Sequence, residues 1–213
     1  KEVVDALIEN KNISSISFVG SSKVASYIYE KSAAYNKRVQ ALGSAKNHMV
    51  VMPDADVEQA SDALIGAAFG SAGERCMAIS VAVAVGNVAD DLIKSITPKI
   101  NQIKVGPYND KHSEMGPVVS KQALDRIKSL ISSGVDDGAD LLIDGRDIKL
   151  QGYENGYFIG PCLFDNVKTN MSIYKEEIFG PVLSIVRADN YDQALKLVKE
   201  NPYGNGCSIF TRD

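Results

Sequence analysis

The stretch Gly66-Ala67-Ala68-Phe69-Gly70-Ser71-Ala72-Gly73-Glu74-Arg75-Cys76-Met77 delivers one cysteine beside an arginine out of a run of small residues. A thiol becomes a good nucleophile when nearby positive charge or helix-end dipoles lower its pKa, and glycines let backbone N–H groups approach an oxyanion closely. Cys76 is therefore a candidate nucleophile, the bland alternative being a packing cysteine after a turn. A second candidate is Gly20-Ser21-Ser22, between an apolar run and a helical pattern. Free N–H groups and a hydroxyl at a helix N-terminus suit an anion, or the serine is a plain cap after a turn glycine. The third is Tyr174-Lys175-Glu176-Glu177-Ile178-Phe179-Gly180-Pro181-Val182. Its glutamates and aromatic can grip a ribose hydroxyl and flank a nicotinamide ring, or form a solvated turn with one buried Phe. His48 reads as mainly structural, since no third residue orients a Cys-His pair, and His112 reads as exposed in a polar loop.

These candidates need elements to position them. Val3, Val4, Leu7 and Ile8 predict a helix ending near Asn10, and Ile13–Val19 a strand followed at once by Gly20-Ser21-Ser22 and a helix through Val24, Tyr27, Ile28 and Lys31. Strands are expected over Lys37–Leu42 and His48–Met52, and Pro53-Asp54-Ala55-Asp56 starts a helix with acids at its positive end. That helix carries Val57, Ala60, Leu64, Ala67 and Ala68 and runs into the Cys76 loop. Met77–Val85 is nearly all apolar, as a strand covered on both faces would be. Helices follow over Val88–Ile100, Lys121–Gly134 and Tyr191–Glu200, and strands over Gln102–Val105, Ala139–Ile143, Pro181–Val186 and Gly206–Phe210, with Pro161–Phe164 pairing at an edge. Strands separated by helices of this length predict an α/β domain with a largely parallel sheet.

Composition bounds the partners. The 213 residues are 45% apolar and 23% charged with a net charge of −4, an ordinary globular balance without the basic surface that nucleic acid or anionic membranes require. No apolar run approaches the ~20 residues that span a bilayer. Cys76, Cys162 and Cys207 show neither a metal-ligand pattern nor a disulfide framework, which fits free thiols in a reducing compartment and no metal site. The chain opens in mid-helix without a start methionine, so an internal fragment of a longer protein is expected.

In order, Phe18-Val19-Gly20-Ser21-Ser22, Leu42-Gly43-Ser44-Ala45-Lys46, Pro53-Asp54-Ala55-Asp56, Gly73-Glu74-Arg75-Cys76 and Glu176-Glu177-Ile178-Phe179-Gly180-Pro181-Val182 resemble the aldehyde dehydrogenase superfamily. Lys37-Arg38-Val39-Gln40, Gly43-Ser44-Ala45-Lys46-Asn47-His48, the stretch Gly66 to Ala78 and Asn201-Pro202-Tyr203-Gly204-Asn205-Gly206 are similar to its coenzyme A-acylating methylmalonate-semialdehyde branch. The resemblance covers essentially the whole chain. It implies that Cys76 is the nucleophile, that Gly20 and Ser21 form the turn at the NAD phosphates, and that Gly43 is backbone near the nicotinamide. It further implies that Glu177 contacts the ribose and that Phe179 packs near the nicotinamide riboside.

Two departures sharpen this reading. Leu42 stands where most of the superfamily carries the glutamate that activates water, which agrees with coenzyme A as acyl acceptor and co-substrate. Arg75 replaces a small or thiol residue; it can bind a substrate carboxylate, or form an ion pair with Glu74 or another acid. The implied reaction is NAD-dependent oxidation of malonate or methylmalonate semialdehyde to acetyl-CoA or propionyl-CoA, as in valine catabolism. A hydrolytic NAD(P)-dependent enzyme and a non-catalytic assembly module stand as alternatives. Residues 1–43 are expected to be the C-terminal remnant of an NAD-binding domain and 44–213 a truncated catalytic thiol domain. The full-length protein would be a homo-oligomer, a homotetramer by resemblance, in the cytoplasm or mitochondrial matrix, and the fragment alone inactive.

Overall fold

Short apolar runs alternating with amphipathic stretches fold as strands and helices, giving the α/β class with a parallel-rich sheet. The computed structural model describes every residue from Lys1 to Asp213 and divides into two compact units, Lys1–Ser44 and Ala45–Asp213.

The first unit comprises α1 (Glu2–Glu9), β1 (Ser15–Val19), α2 (Ser22–Ala34) and β2 (Arg38–Leu42). β1 and β2 pair in parallel, Ser15 opposite Arg38 through Val19 opposite Leu42. Ile8, Ala25 and Ile28 form its small buried set. Lys31 on α2 ties down α1 through Asp5 at 3.0 Å and Glu9 at 2.8 Å.

The second unit is built on a six-stranded sheet. Its elements are β3 (Asn47–Val51), α3 (Val57–Phe69), β4 (Ile79–Val85), α4 (Val88–Gln102), α5 (Lys121–Asp136), β5 (Asp140–Ile143), β6 (Cys162–Asp165), α6 (Ser172–Lys175), β7 (Val182–Ala188), α7 (Tyr191–Glu200) and β8 (Cys207–Phe210). The spatial order is β5-β6-β7-β4-β3-β8, and every pairing is parallel except β5 with β6. β4 lies at the centre with Val81 to Val85 buried, and Val83 sits opposite Val50 on one side and Val186 on the other. Such burial on both faces explains why this strand reads as a continuous apolar run. Leu64 on α3, Leu92, Ile96 and Ile100 on α4, and Ile127 and Ile131 on α5 are buried in the core cluster.

Three expectations are corrected. Gln102–Val105 is not a strand: the stripe Leu92, Ile96, Ile100 carries α4 through Gln102, and Val105 makes only one bridge, to Met115. Cys162–Asp165 is no edge strand; it is fully buried between β5 and β7, with Pro161 just outside the ladder, where a missing N–H costs nothing. The helix expected from Pro53 begins at Val57, where the Asp56 carboxylate accepts the Gln59 N–H at 3.1 Å. Asp54 instead accepts from Thr211 Oγ1, Arg212 N and Asp213 N.

Candidate active site

The Cys76 loop is held in an uncommon backbone shape. After α3, Ser71, Ala72 and Gly73 have φ of 54°, 54° and 71°, the left-handed region that side chains disfavour. Gly73 is required there, because a Cβ would stand 2.2 Å from the carbonyl oxygen of Gly180. The loop then presents Glu74, Arg75 and Cys76. The Glu74 carboxylate accepts the Val119 N–H, at 3.0 Å to Oε2. Arg75 forms neither the ion pair with Glu74 nor one with any other acid. Its Nη2 donates to the carbonyls of Gly66 and Ala67 at 2.7 and 2.9 Å, placing a cation at the carbonyl end of α3. Gly70 makes room, since a Cβ would lie 2.9 Å from that nitrogen. Nε and Nη1 have no protein acceptor, so the exposed guanidinium keeps donors for a carboxylate.

Cys76 itself is exposed. Its carbonyl oxygen accepts from two side-chain amides, Asn47 Nδ2 and Asn205 Nδ2, each at 2.8 Å. Asn47 is 2% exposed, also donates to Ala78 O at 2.9 Å and accepts from Gly206 N at 2.9 Å.

Opposite the loop runs the strap Glu176–Gly180. Ala45 N donates to Glu177 Oε1 at 3.0 Å, and Glu177 Oε2 has no protein partner. Lys46 donates to Ile173 O at 2.5 Å and Glu176 O at 2.7 Å. Arg126, from α5, donates to Glu177 O and, at 2.8 Å, to Ile178 O. Lys46 and Arg126 thus fix the strap through its carbonyls. Phe179 follows with φ of 52° and stays 42% exposed, its ring presented outward from a strained backbone instead of buried. Ala45, Arg75, Cys76, Ser80, Glu177 and Phe179 line one pocket. Burial pushes the Lys46 ammonium down to about 7, against the opposing pull of Glu177 and Glu176.

Gly20, Ser21 and Gly43 belong to the first unit and meet one another there. Gly20 N donates to Leu42 O at 3.1 Å, and Ser22 and Ser44 exchange N–H to hydroxyl bonds at 3.2 and 3.0 Å. A Cβ on Gly43 would lie 2.7 Å from Ser22 Oγ, so glycine lets the two segments close. Ser21 occupies the N-cap position of α2, yet its hydroxyl caps nothing and is left for a ligand. Beside it lies an open cleft of about 310 Å³ lined by Ser22, Ser26, Tyr29, Glu30 and Gly43. An uncommitted hydroxyl, a helix N-terminus and a glycine-floored cleft fit a dinucleotide phosphate and ribose.

His48 has no place in the pocket. It is buried, its Nε2 is 3.1 Å from the Tyr174 hydroxyl, and desolvation pushes it down to about 4, keeping it neutral. Asn47, Asn205, Lys46 and Arg126 were missed as site residues by sequence reasoning. The motifs that contain the first three give no sign that they clamp backbone carbonyls far along the chain.

The family model described as aldehyde dehydrogenase family matches residues 1–213. The malonate-semialdehyde dehydrogenase of Pseudomonas aeruginosa is 52% identical over 214 residues, covering 100% of this chain and 43% of that protein. The human mitochondrial acylating methylmalonate-semialdehyde/malonate-semialdehyde dehydrogenase is 48% identical over 210 residues, covering 99% and 39%. Among solved structures, one from Sinorhizobium meliloti 1021, described as a methylmalonate-semialdehyde dehydrogenase complexed with NAD, superposes with a TM-score of 0.98 at 58% identity, covering 99% of this chain and 43% of that one. The chain thus spans about two fifths of the length of these relatives. No helix is long and apolar enough to cross a membrane.

Proposed function

From the premise that this chain belongs to the aldehyde dehydrogenase family, we propose that the complete gene product oxidises malonate or methylmalonate semialdehyde and passes the acyl group to coenzyme A. The observation that carries this reading is the exposed Cys76 in one pocket with Arg75, Glu177 and Phe179.

The Cys76 thiolate attacks the aldehyde carbon and forms a C–S bond, giving a hemithioacetal. The free donors of Arg75 hold the substrate carboxylate and orient that carbon. NAD supplies the hydride acceptor when bound. Within the first unit, Ser21 would offer a hydroxyl and the amide end of α2 to a phosphate, and Gly43 a close backbone; within the second, Glu177 Oε2 would offer an acceptor for a ribose hydroxyl and Phe179 an apolar face. With the adduct's oxygen kept as the oxyanion that thiolate attack creates, re-formation of its C=O bond as the hydride leaves the carbon would give a thioester on Cys76. The coenzyme A thiolate then attacks that carbonyl, and Cys76 departs as thiolate. The substrate carboxylate leaves as carbon dioxide, and the carbon it leaves takes up one proton, giving acetyl-CoA or propionyl-CoA. Leu42 has no group to take a proton from water, whereas a thiol is already a few per cent thiolate near neutral pH and needs less help.

The test is steady-state NADH formation by the complete gene product with and without coenzyme A. Turnover should require it, with a single burst of NADH in its absence. Equal steady turnover without coenzyme A overturns acyl transfer in favour of hydrolysis.

A further inference from the structure

We infer that Asn205, acting with Asn47, is a positioning residue that fixes the Cys76 backbone so that its sulfur is presented at the reacting angle. The inference rests on the reading of Cys76 as nucleophile.

The topology makes the contact possible. β4, β3 and β8 are parallel neighbours that start at the same end of the sheet. Cys76 lies just ahead of β4, Asn47 opens β3, and Asn205 lies just ahead of β8. Three chain segments remote in sequence therefore converge at one sheet end. Both Nδ2 groups reach the Cys76 carbonyl at 2.8 Å, so both of its lone pairs are taken by side-chain amides. With the 76–77 peptide plane held from one side and Arg75 docked on α3 from the other, little rotation is left at Cys76 except in its side chain.

The two asparagines differ in what else they do. Asn47 is buried and joins three segments, so its loss would disturb the fold as well as the site. Asn205 is exposed, its Nδ2 touches only Cys76 O and, at 3.2 Å, Met77 Sδ, and its Oδ1 accepts nothing from the protein. An exposed amide costs little to remove, and its partners are the nucleophile's carbonyl and the next residue. Gly206 permits the approach, because a Cβ there would lie 2.7 Å from the Met77 methyl.

The experiment compares Asn205→Leu and Asn205→Asp with the parent in the complete gene product, using Cys76→Ala as control. Three quantities are read: the pre-steady-state NADH burst, the pH profile of Cys76 alkylation by iodoacetamide without cofactor, and the thermal midpoint. Asn205→Leu should slow the burst about tenfold with an unchanged KM for the semialdehyde, since misplacement of a reacting group is paid in rate. Asn205→Asp should slow it further and alter Cys76 alkylation, because a carboxylate has no donor for the Cys76 carbonyl oxygen and repels it. Both should keep the parent's thermal midpoint. Parental burst and alkylation in both variants overturns the inference while Cys76→Ala stays inactive, as does a loss that merely tracks a lowered midpoint. Undiminished NADH formation by Cys76→Ala instead sinks the nucleophile reading, and this inference with it.

Discussion

Cys76 and Cys162 carry the same thiol in opposite surroundings. Cys162 sits in β6 with no exposed surface; burial pushes its thiol up to about 11, and its sulfur accepts the Gly145 N–H at 3.2 Å. Cys76 lies outside the sheet on a loop with three consecutive left-handed residues, exposed and pinned through backbone carbonyls. A core holds a thiol by filling space around it and thereby silences it. A site holds a thiol by its backbone and leaves the sulfur open, at the cost of strained residues and close glycine contacts.

The comparison breaks if the two cysteines do not separate activity from stability. Cys76→Ala should abolish NADH formation, a fall on the order of 10⁴-fold or more, and shift unfolding by no more than ~0.5 kcal/mol. Cys162→Ala should keep turnover but cost about 1–2 kcal/mol in urea unfolding, from the small cavity and the Gly145 N–H left without its acceptor. Mass spectrometry after iodoacetamide should find Cys76 modified in the native protein and Cys162 only after unfolding. Native modification of Cys162 would contradict its burial.

Next in size is the backbone that shapes the loop. Gly73→Ala puts a methyl 2.2 Å from the Gly180 carbonyl oxygen, where neither backbone can yield without moving the Cys76 loop or the Phe179 strap. A loss of about 2–4 kcal/mol with near-complete loss of turnover is expected. Gly66→Ala, in α3, meets nothing within 4 Å and should be neutral or stabilise by ~0.5–1 kcal/mol. Equal effects of the two in urea unfolding would remove the backbone argument.

Much of this was legible in the sequence where the signal is local. Tyr191–Glu200 is a helix at its expected bounds, β4 reads as a buried strand because it is covered on both faces, and the stretch from Gly73 leaves Cys76 exposed on a loop after α3. What was not legible is tertiary. Gln102–Val105 was misread because Ile103 and Val105 alternate with polar residues as a short strand would, whereas α4 runs through Gln102 and Val105 makes only one bridge, to Met115. Arg75 reads from its neighbours either as a carboxylate binder or as a partner for Glu74 or another acid, and the ion pair is absent because the two turn away, to α3 and to Val119. Asn205 to Cys76 and Lys46 to Glu176 are separated by 129 and 130 residues, so no spacing rule connects them.

Lys46 gives the effect that titrates. In the folded protein it is depressed to about 7 while the unfolded chain keeps the ordinary lysine value of 10.5. Between those values the unfolded chain binds the proton and the folded protein does not, so raising pH favours folding, by up to ~1.4 kcal/mol per pH unit. Below about 7 both states are protonated and the contribution levels off. A neutral amine still has two N–H donors for Ile173 O and Glu176 O, so the strap stays clamped on either side of the transition. Lys46→Met removes the titration and leaves those carbonyls unpaired, at about 1–3 kcal/mol each. The stability gap between parent and variant should therefore widen from pH 7 to pH 9.5 in urea unfolding. A constant gap would place the Lys46 proton in the ordinary lysine range and make its two carbonyl contacts purely those of an ammonium ion.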